Sequence, residues 1–134
     1  VLITAGPTYE AIDPVRFIGN HSSGKMGFAL AEAAAAKGAR VTLVAGPHHL
    51  QVHHPLISLI SVVSSDDMAQ QCFENFPQSD MIIMAAAVAD YKPIQPAEQK
   101  IKKENLKRIG GRMAGSGCRG QCAPRQIQDC KLNP

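Results

Sequence analysis

The sequence predicts an α/β fold, a Rossmann-like parallel sheet with flanking helices that is truncated at its C-terminal side. Short, continuously apolar segments alternate along the chain with helical segments, which is typical of parallel strands buried on both faces. Hydrophobic residues make up 45% of the 134 residues, enough for one buried core, and only 4% are aromatic. Aliphatic side chains must therefore fill that core.

The first half of the chain predicts two strands around one helix. Residues 1–4 (VLIT) form an apolar run that ends at a Gly-Pro turn, and residues 41–45 (VTLVA) form a second run. Between them, residues 5–24 are rich in Gly, Pro, Asn and Ser and predict a long structured loop, a kind of segment that is usually functional. The alanine-rich stretch 25–37 predicts a helix, which Gly38 ends.

The second half predicts two further strands with a helix between them. Residues 57–63 and 81–88 are apolar runs of strand length. The segment 64–67 (SSDD) supplies capping side chains and negative charge to the N-terminus of a helix that extends to about Phe76.

A tail of different composition follows this pattern. Residues 1–104 form the expected domain, whereas residues 105–134 show no strand or helix period and contain three of the four cysteines. Such a stretch is not expected to bury enough surface to become ordered, and a frameshift product is the leading explanation for it. The chain also opens inside a strand without an initiator Met, so we expect a domain cut from a longer protein.

The net charge of +3 comes from the tail. Residues 1–107 carry nine basic and ten acidic side chains, whereas residues 108–134 carry five basic and one acidic. The domain therefore has no basic face for nucleic acid. Its longest apolar run, 81–88, is too short to cross a bilayer, and no signal peptide is recognisable. We expect a cytoplasmic protein with neither a nucleic-acid nor a membrane partner.

The segment 19–26 (GNHSSGKM) approaches a P-loop but fails its requirements. Met26 occupies the position where a hydroxyl must bind Mg²⁺, and the segment does not directly follow a strand. The turn at residues 5–8 (AGPT) also lacks the GxGxxG pattern of dinucleotide-binding folds. These departures disfavour both a true Walker A phosphate-binding loop and a Rossmann-type oxidoreductase.

A more general anion site remains possible at the same place. A small-residue loop that enters a helix N-terminus offers backbone N–H groups to an anion, and Ser22, Ser23 and Lys25 add hydroxyls and charge. Alternatively, the segment is a helix cap with a solvated lysine, in which Asn20 and Ser22 form turns.

Two later segments are further candidates. Small residues and Asp90 at the end of the strand 81–88 predict a ligand crevice, because open α/β sheets bind ligands beyond the carboxyl ends of their strands. The cluster 100–103 (KIKK) is either a solvated surface or a source of charge beside a phosphate site. If the cluster is extended, Lys100 and Lys102 share one face.

The remaining metal-ligand residue types do not predict a metal site. Four histidines lie in the Pro-containing segment 48–54, which we interpret as a variable surface loop. Cys118, Cys122 and Cys130 form an incomplete zinc set, since no histidine follows them.

Three motifs together resemble phosphopantothenate–cysteine ligase, the synthetase half of the bacterial bifunctional coenzyme A biosynthesis flavoprotein. They are residues 3–8 (ITAGPT), residues 13–27 (DPVRFIGNHSSGKMG), and residues 86–91 (AAVADY) with 100–103 (KIKK). The resemblance covers residues 1–103, in order and at family-like spacing. It departs from the family at Tyr9, where an arginine is common, and after the lysine motif, where the family continues with further elements.

The resemblance implies a CTP-dependent ligation of cysteine to 4′-phosphopantothenate through an acyl-cytidylate. It implies that Asn20 stabilises the acyl-cytidylate and that Lys100 serves nucleotidyl transfer. The residues it implies for CTP are Ala85, Ala86, Asp90 and Lys100. The residues expected for phosphopantothenate are Arg16, Asn20, Ser22, Ser23 and Lys25. Mg²⁺ would be bound through the nucleotide phosphates, and FMN only by a fused decarboxylase domain.

The resemblance also implies a homodimer whose site is completed across subunits by the loop 13–23. The parent protein would carry an N-terminal decarboxylase domain. Two alternatives stay open: a non-catalytic nucleotide-binding module, and the Rossmann-type oxidoreductase that the missing glycine pattern disfavours.

Overall fold

The computed structural model describes residues 1–101 and the backbone of residues 130–132. The elements are β1 (Leu2–Ala5), β2 (Tyr9–Ala11), β3 (Phe17–Gly19), α1 (Lys25–Ala36), β4 (Val41–Ala45), β5 (Ile57–Ser61), α2 (Ser65–Asn75), a 3-10 turn (Phe76–Gln78), β6 (Ile82–Met84), β7 (Tyr91–Pro93) and β8 (Cys130–Leu132).

A four-stranded parallel sheet in the order β5-β4-β1-β6 forms the centre of the fold. Its register aligns Ile3 of β1 with Leu43 on one side and Ile83 on the other. All four residues of β1 are buried, as the continuous apolar run predicts for a central parallel strand. The predicted α/β class with a parallel sheet is confirmed.

The two helices cover opposite faces of this sheet. On one face, Phe28 and Ala31 of α1 join a buried cluster with Ile3 and Leu43. On the other face, Met68 of α2 packs in a second cluster, with Leu2 and Val44. The edge strand β6 is less covered: Ile82 and Met84 are 37% and 69% exposed. Burial on both faces therefore holds for the central strands and not for β6.

The predicted loop 5–24 contains a β-hairpin that the sequence analysis missed. Strands β2 and β3 pair antiparallel, and the rings of Tyr9 and Phe17 stack with centroids 4.1 Å apart. Each strand has only three residues, too few to show an alternating pattern. The pairing depends on contacts between the two strands rather than on local composition.

Two other boundaries differ from the sequence prediction. The expected strand 81–88 is regular only over Ile82–Met84. The Ala86 amide donates to the Thr4 hydroxyl, and parallel pairing resumes at one isolated bridge between Ala87 and Pro7. The expected strand 57–63 ends at Ser61.

A strand also lies in the tail, where we expected no regular structure. Cys130–Leu132 pairs antiparallel with Tyr91–Pro93. The rest of the tail, with the cysteines at 118 and 122, lies outside the described residues, so the boundary at residue 104 stays a prediction. Among the helices that the structure describes, none has the length and apolar character needed to span a membrane.

Candidate functional site

Three segments contain the residues that the sequence analysis nominated. They are the loop 20–24 that leads into α1, the strand-end segment 85–90 after β6, and the lysine segment 97–101, since Lys102 and Lys103 of the cluster 100–103 lie outside the described residues. The first two contact each other through Asn20, whereas the lysine segment is bound to the turn of the β2–β3 hairpin.

The N-terminus of α1 lies close to the turn that follows β1. Gly24 and Gly6 both have positive φ, 73° and 76°, and a Cβ on Gly24 would lie 3.3 Å from the Cα of Gly6. A Cβ on Gly27 would lie 2.5 Å from the Cβ of Ala5, so this glycine allows the helix to approach β1. Glycine is required where the backbone adopts positive φ in such close packing.

No side chain of the described residues caps α1, and its first turn has no acidic residue. The serine of this loop that takes part in the turn is Ser22, whose hydroxyl oxygen accepts from the Gly24 amide at 3.3 Å. Ser23 and Lys25 are exposed. An uncapped, positively polarised N-terminus with exposed hydroxyl and ammonium groups is suited to an anion.

The N-terminus of α2 provides a contrast. Ser64 and Asp67 form a capping box there, and the buried Glu10 accepts a hydrogen bond from the Ser65 amide at 2.8 Å. The hydrogen bonds from Ser64 lower the pKa of Asp67, with the bond to the Ser64 side chain as the largest cause. Because side chains of α2, its cap and β2 already satisfy the N-terminus of α2, α1 is, of the two described α-helices, the one whose N-terminus remains open to a ligand.

The strand-end segment is held by two buried threonines that the sequence analysis missed. The Thr4 hydroxyl accepts from the amides of Ala85 and Ala86, both at 3.2 Å. The Thr8 hydroxyl accepts from the Ala89 amide at 2.9 Å. Both threonines are fully buried. They are polar residues within a run of small and apolar ones, and since buried hydroxyls need hydrogen-bond partners, this pattern could have indicated their role.

Asn20 joins the loop to the strand-end segment. Its side-chain amide donates to the carbonyl oxygen of Val88 at 2.9 Å, across 68 residues of sequence. Asp90, two residues further on, is exposed. The structure therefore brings together Asn20 and the segment predicted to bind the nucleotide.

The lysine segment is held by an ion pair between Asp13 and Arg16. The Arg16 guanidinium donates to the Asp13 carboxylate, whose side chain is fully buried, and to the Ile101 carbonyl oxygen at 3.2 Å. The Ile101 amide donates to Asp13 at 3.1 Å. The Arg16 guanidinium holds the pKa of the Asp13 carboxyl well below its usual range, and burial opposes this shift only in part.

The structure gives Arg16 contacts within the protein in addition to its expected role in substrate binding. The sequence analysis assigned it to phosphopantothenate, and the structure shows it bound to Asp13, with 45% of its side chain still exposed. Lys100 is exposed beside Ile101. The role of Asp13 was missed, although an Asp before Pro is a recognised turn signal.

Other candidate places lie apart from the three segments. A cavity of about 690 Å³ opens at the amino ends of the strands, lined among others by Val1, Arg40 and Asp80. In the 48–54 loop, the His48 ring packs 4.8 Å from the Phe28 ring. Within residues 1–101 no group of three or more His, Cys, Asp or Glu side chains could hold a metal ion.

A family model and several known proteins are similar to this chain, and they belong to pantothenate or coenzyme A metabolism. The family model of the "DNA/pantothenate metabolism flavoprotein C-terminal domain" matches residues 1–112. The coenzyme A biosynthesis bifunctional protein CoaBC of Haemophilus influenzae is 56% identical over 103 residues, which is 77% of this chain and 26% of that protein. The chain thus spans about a quarter of the length of that curated relative.

Solved structures agree with the fold. The crystal structure of the C-terminal domain of CoaBC superposes with a TM-score of 0.67 at 43% identity, covering 79% of this chain and 56% of that one. The structure of a Cab2 mutant in complex with phosphopantothenate-cysteine superposes with a TM-score of 0.62 at 16% identity, covering 98% and 54%. The second likeness concerns the fold alone.

Proposed function

This chain belongs to the family of DNA/pantothenate metabolism flavoprotein C-terminal domains, and from that membership we propose that it carries part of a phosphopantothenate–cysteine ligase. The enzyme would ligate cysteine to 4′-phosphopantothenate at the expense of CTP, in coenzyme A biosynthesis. The observation that carries the proposal is the hydrogen bond by which Asn20 joins the loop 20–24 to the strand-end segment. The lysine segment is bound, through the Asp13–Arg16 pair, to the turn of the hairpin that precedes this loop.

The proposed reaction has two steps. The carboxylate of 4′-phosphopantothenate attacks the α-phosphorus of CTP, the bond to the β-phosphate oxygen breaks, and pyrophosphate leaves. The amine of cysteine then attacks the acyl carbon of the acyl-cytidylate, loses a proton, and displaces CMP. Both steps develop negative charge on oxygen, so they need fixed N–H groups and cations rather than a redox cofactor.

The described residues fit these needs. The open N-terminus of α1, with Ser22, Ser23 and Lys25, would hold the phosphate of phosphopantothenate. Arg16, whose side chain is 45% exposed, is the further residue that the resemblance implies for this substrate. Asn20 would place its amide against the acyl-cytidylate while it stays bonded to the Val88 carbonyl.

The strand-end segment would receive CTP. Ala85 and Ala86 present little side chain, so the nucleotide could approach the backbone that Thr4 holds. Asp90 is an exposed carboxylate at the end of this segment. Mg²⁺ would be bound through the CTP phosphates, as it commonly is in nucleotide-dependent enzymes.

We propose that Lys100, rather than Lys102 or Lys103, stabilises charge at the α-phosphate. The test needs a complete site, and the chain covers 26% of the Haemophilus influenzae protein. We therefore define a hybrid enzyme in which residues 1–104 of this chain replace the matching segment of that protein. Pyrophosphate release by the hybrid should require CTP and phosphopantothenate, and CMP release should also require cysteine.

The lysine variants Lys100→Gln, Lys102→Gln and Lys103→Gln separate the alternatives. Loss of one fixed electrostatic donor costs about 10²–10³ in rate, so Lys100→Gln should slow pyrophosphate release by that factor. The other two variants serve as matched controls and should stay within about threefold of the parent. A folded parent hybrid that binds CTP without turnover would favour the non-catalytic nucleotide-binding module instead.

Assembly is a separate part of the proposal. We propose a homodimer in which the segment 13–23 reaches the partner subunit, with a decarboxylase domain carrying FMN elsewhere in the parent protein. Val15 and Phe17 on this segment are 60% and 54% exposed, which supports a buried position in an assembly. Sedimentation of the hybrid at assay concentration should give a dimer, and a fully active monomer would contradict the proposal.

A further inference from the structure

Few hydrogen bonds fix the position of the lysine segment among the described residues. Between the end of β7 at Pro93 and residue 101 the structure describes no helix or strand. The segment is tied by the Ala97 amide, which donates to the Ile12 carbonyl at 2.9 Å, and by the two bonds of Ile101. All three bonds end on the turn of the β2–β3 hairpin or on its ion pair.

The two carboxylate oxygens of Asp13 bind two different parts of the chain, the hairpin turn and the lysine segment. Its Oδ1 accepts from the amides of Val15 and Arg16, at 2.9 and 2.8 Å, and so forms the hairpin turn. Its Oδ2 accepts from the Arg16 guanidinium and, across 88 residues of sequence, from the Ile101 amide. Bonds to an ionised acceptor are stronger than bonds between neutral groups, and this carboxylate is fully buried.

Both backbone groups of Ile101 are therefore held by one ion pair. The amide is bound by Asp13 and the carbonyl oxygen by Arg16, so the backbone next to Lys100 has a defined position and orientation. The Lys100 side chain itself is exposed.

We propose that Asp13 is a positioning residue, which holds Ile101 and thereby sets Lys100 against the reacting phosphate. The inference rests on the proposed function, since it needs Lys100 to act in nucleotidyl transfer. Asp13, Arg16 and their bonds to Ile101 together form a clamp on the lysine segment, so Arg16 has a second role in addition to binding substrate.

The substitution Asp13→Asn tests the clamp with little change in shape. An amide has one acceptor oxygen in place of two, so it cannot serve both the turn and Ile101. The matched control is Asp66→Asn, which removes the carboxylate that pairs with Lys92 at 2.7 Å and is 69% exposed. That pair touches neither the loop nor the lysine segment.

The first readout is hydrogen exchange in the 134-residue chain and does not depend on any activity. In Asp13→Asn the Ile101 amide should exchange at least about tenfold faster, because its acceptor is lost. In Asp66→Asn it should exchange at the parent rate. An unchanged Ile101 amide in Asp13→Asn would overturn the clamp and leave the proposed function untouched.

The second readout is turnover of the hybrid enzyme. A displacement of about 1 Å can cost about 10²-fold in rate, so Asp13→Asn should lower kcat for pyrophosphate release by about 10- to 100-fold. The KM for CTP should change by less than about threefold, because Lys100 acts in the transition state. A loss confined to KM, or parent kcat with a freed Ile101 amide, would overturn the positioning role.

A second variant covers the case in which Asp13→Asn does not fold. Arg16→Lys keeps the charge but loses the planar fork that reaches both Asp13 and Ile101. It should also lower kcat, and any effect on substrate binding would appear separately as a higher KM for phosphopantothenate. If the parent hybrid shows no turnover although it is folded, the proposed function fails, and the positioning of Lys100 for catalysis fails with it.

Discussion

Replacing Thr8 with Val tests how the strand-end segment is held. Valine has nearly the shape of threonine, so the change removes the hydroxyl without opening a cavity. The Ala89 amide, which donates to this hydroxyl at 2.9 Å, then loses its acceptor in a buried position. A buried donor without a partner costs about 1–3 kcal/mol. For a chain of this size that corresponds to a fall in Tm of about 4–12 °C.

The assay is thermal and urea unfolding of the 134-residue chain, followed by circular dichroism. Hydrogen exchange at the Ala89 amide gives a local readout beside the global one. The matched control is Thr42→Val on β4: Thr42 is half-buried, and the described residues give its side chain no hydrogen bond. Its unfolding free energy should change by less than about 0.5 kcal/mol.

Two results would refute this reasoning. If Thr8→Val unfolds at the parent temperature and its Ala89 amide stays protected, the hydroxyl does not hold the segment. If Thr42→Val destabilises the chain as much as Thr8→Val, the loss reflects threonine packing in general. The expected pattern is a large effect at Thr8, with fast exchange at Ala89, and a small effect at Thr42.

Three further predictions concern the loops around the site. Gly46→Ala would place a Cβ 1.6 Å from the Pro7 carbonyl oxygen, so thermal unfolding should show that the unfolding free energy falls by more than about 3 kcal/mol. The control Gly38→Ala also has a positive φ but no atom near its Cβ, so its unfolding free energy should fall by only about 1–2 kcal/mol. Because the pKa of Asp13 is lowered in the folded state, its ionised carboxylate contributes to the unfolding free energy above about pH 4, and this contribution is lost as the pH falls below that value. Urea unfolding measured from about pH 4 to about pH 2 should therefore show a smaller loss of unfolding free energy in Asp13→Asn than in the parent. In the hybrid enzyme, Asn20→Asp should form acyl-cytidylate but transfer it poorly to cysteine, and parent rates of ligation would contradict the assignment.

The elements that could be predicted from sequence are those whose signal is local. The apolar runs of β1 and β4 and the alanine-rich helix α1 each bury a continuous set of neighbouring residues, so their composition alone indicates them. The hairpin of β2 and β3 has no such signal. Its strands of three residues exist because Tyr9 and Phe17 stack across the turn and Asp13 binds the turn amides.

The candidate site divides in the same way. The small residues at the strand end predicted a ligand crevice from residue type alone, whereas the resemblance to the family selected Asn20 and Lys100. The sequence could not show which of them meet. Asn20 reaches the Val88 carbonyl over 68 residues and Asp13 reaches the Ile101 amide over 88.

The sequence by itself therefore determined the fold class, the family and the residue types of the site. The tertiary structure decided which of these residues are free for a ligand and which hold the backbone in place. Thr4, Thr8 and Asp13 are polar side chains that burial obliges to find partners. The partners of Thr4 and Thr8 lie on the segment after β6, which the order of strands in the sheet brings near, whereas Asp13 binds both its own turn and the distant Ile101 amide. Such pairings depend on distances in space, which local composition does not encode.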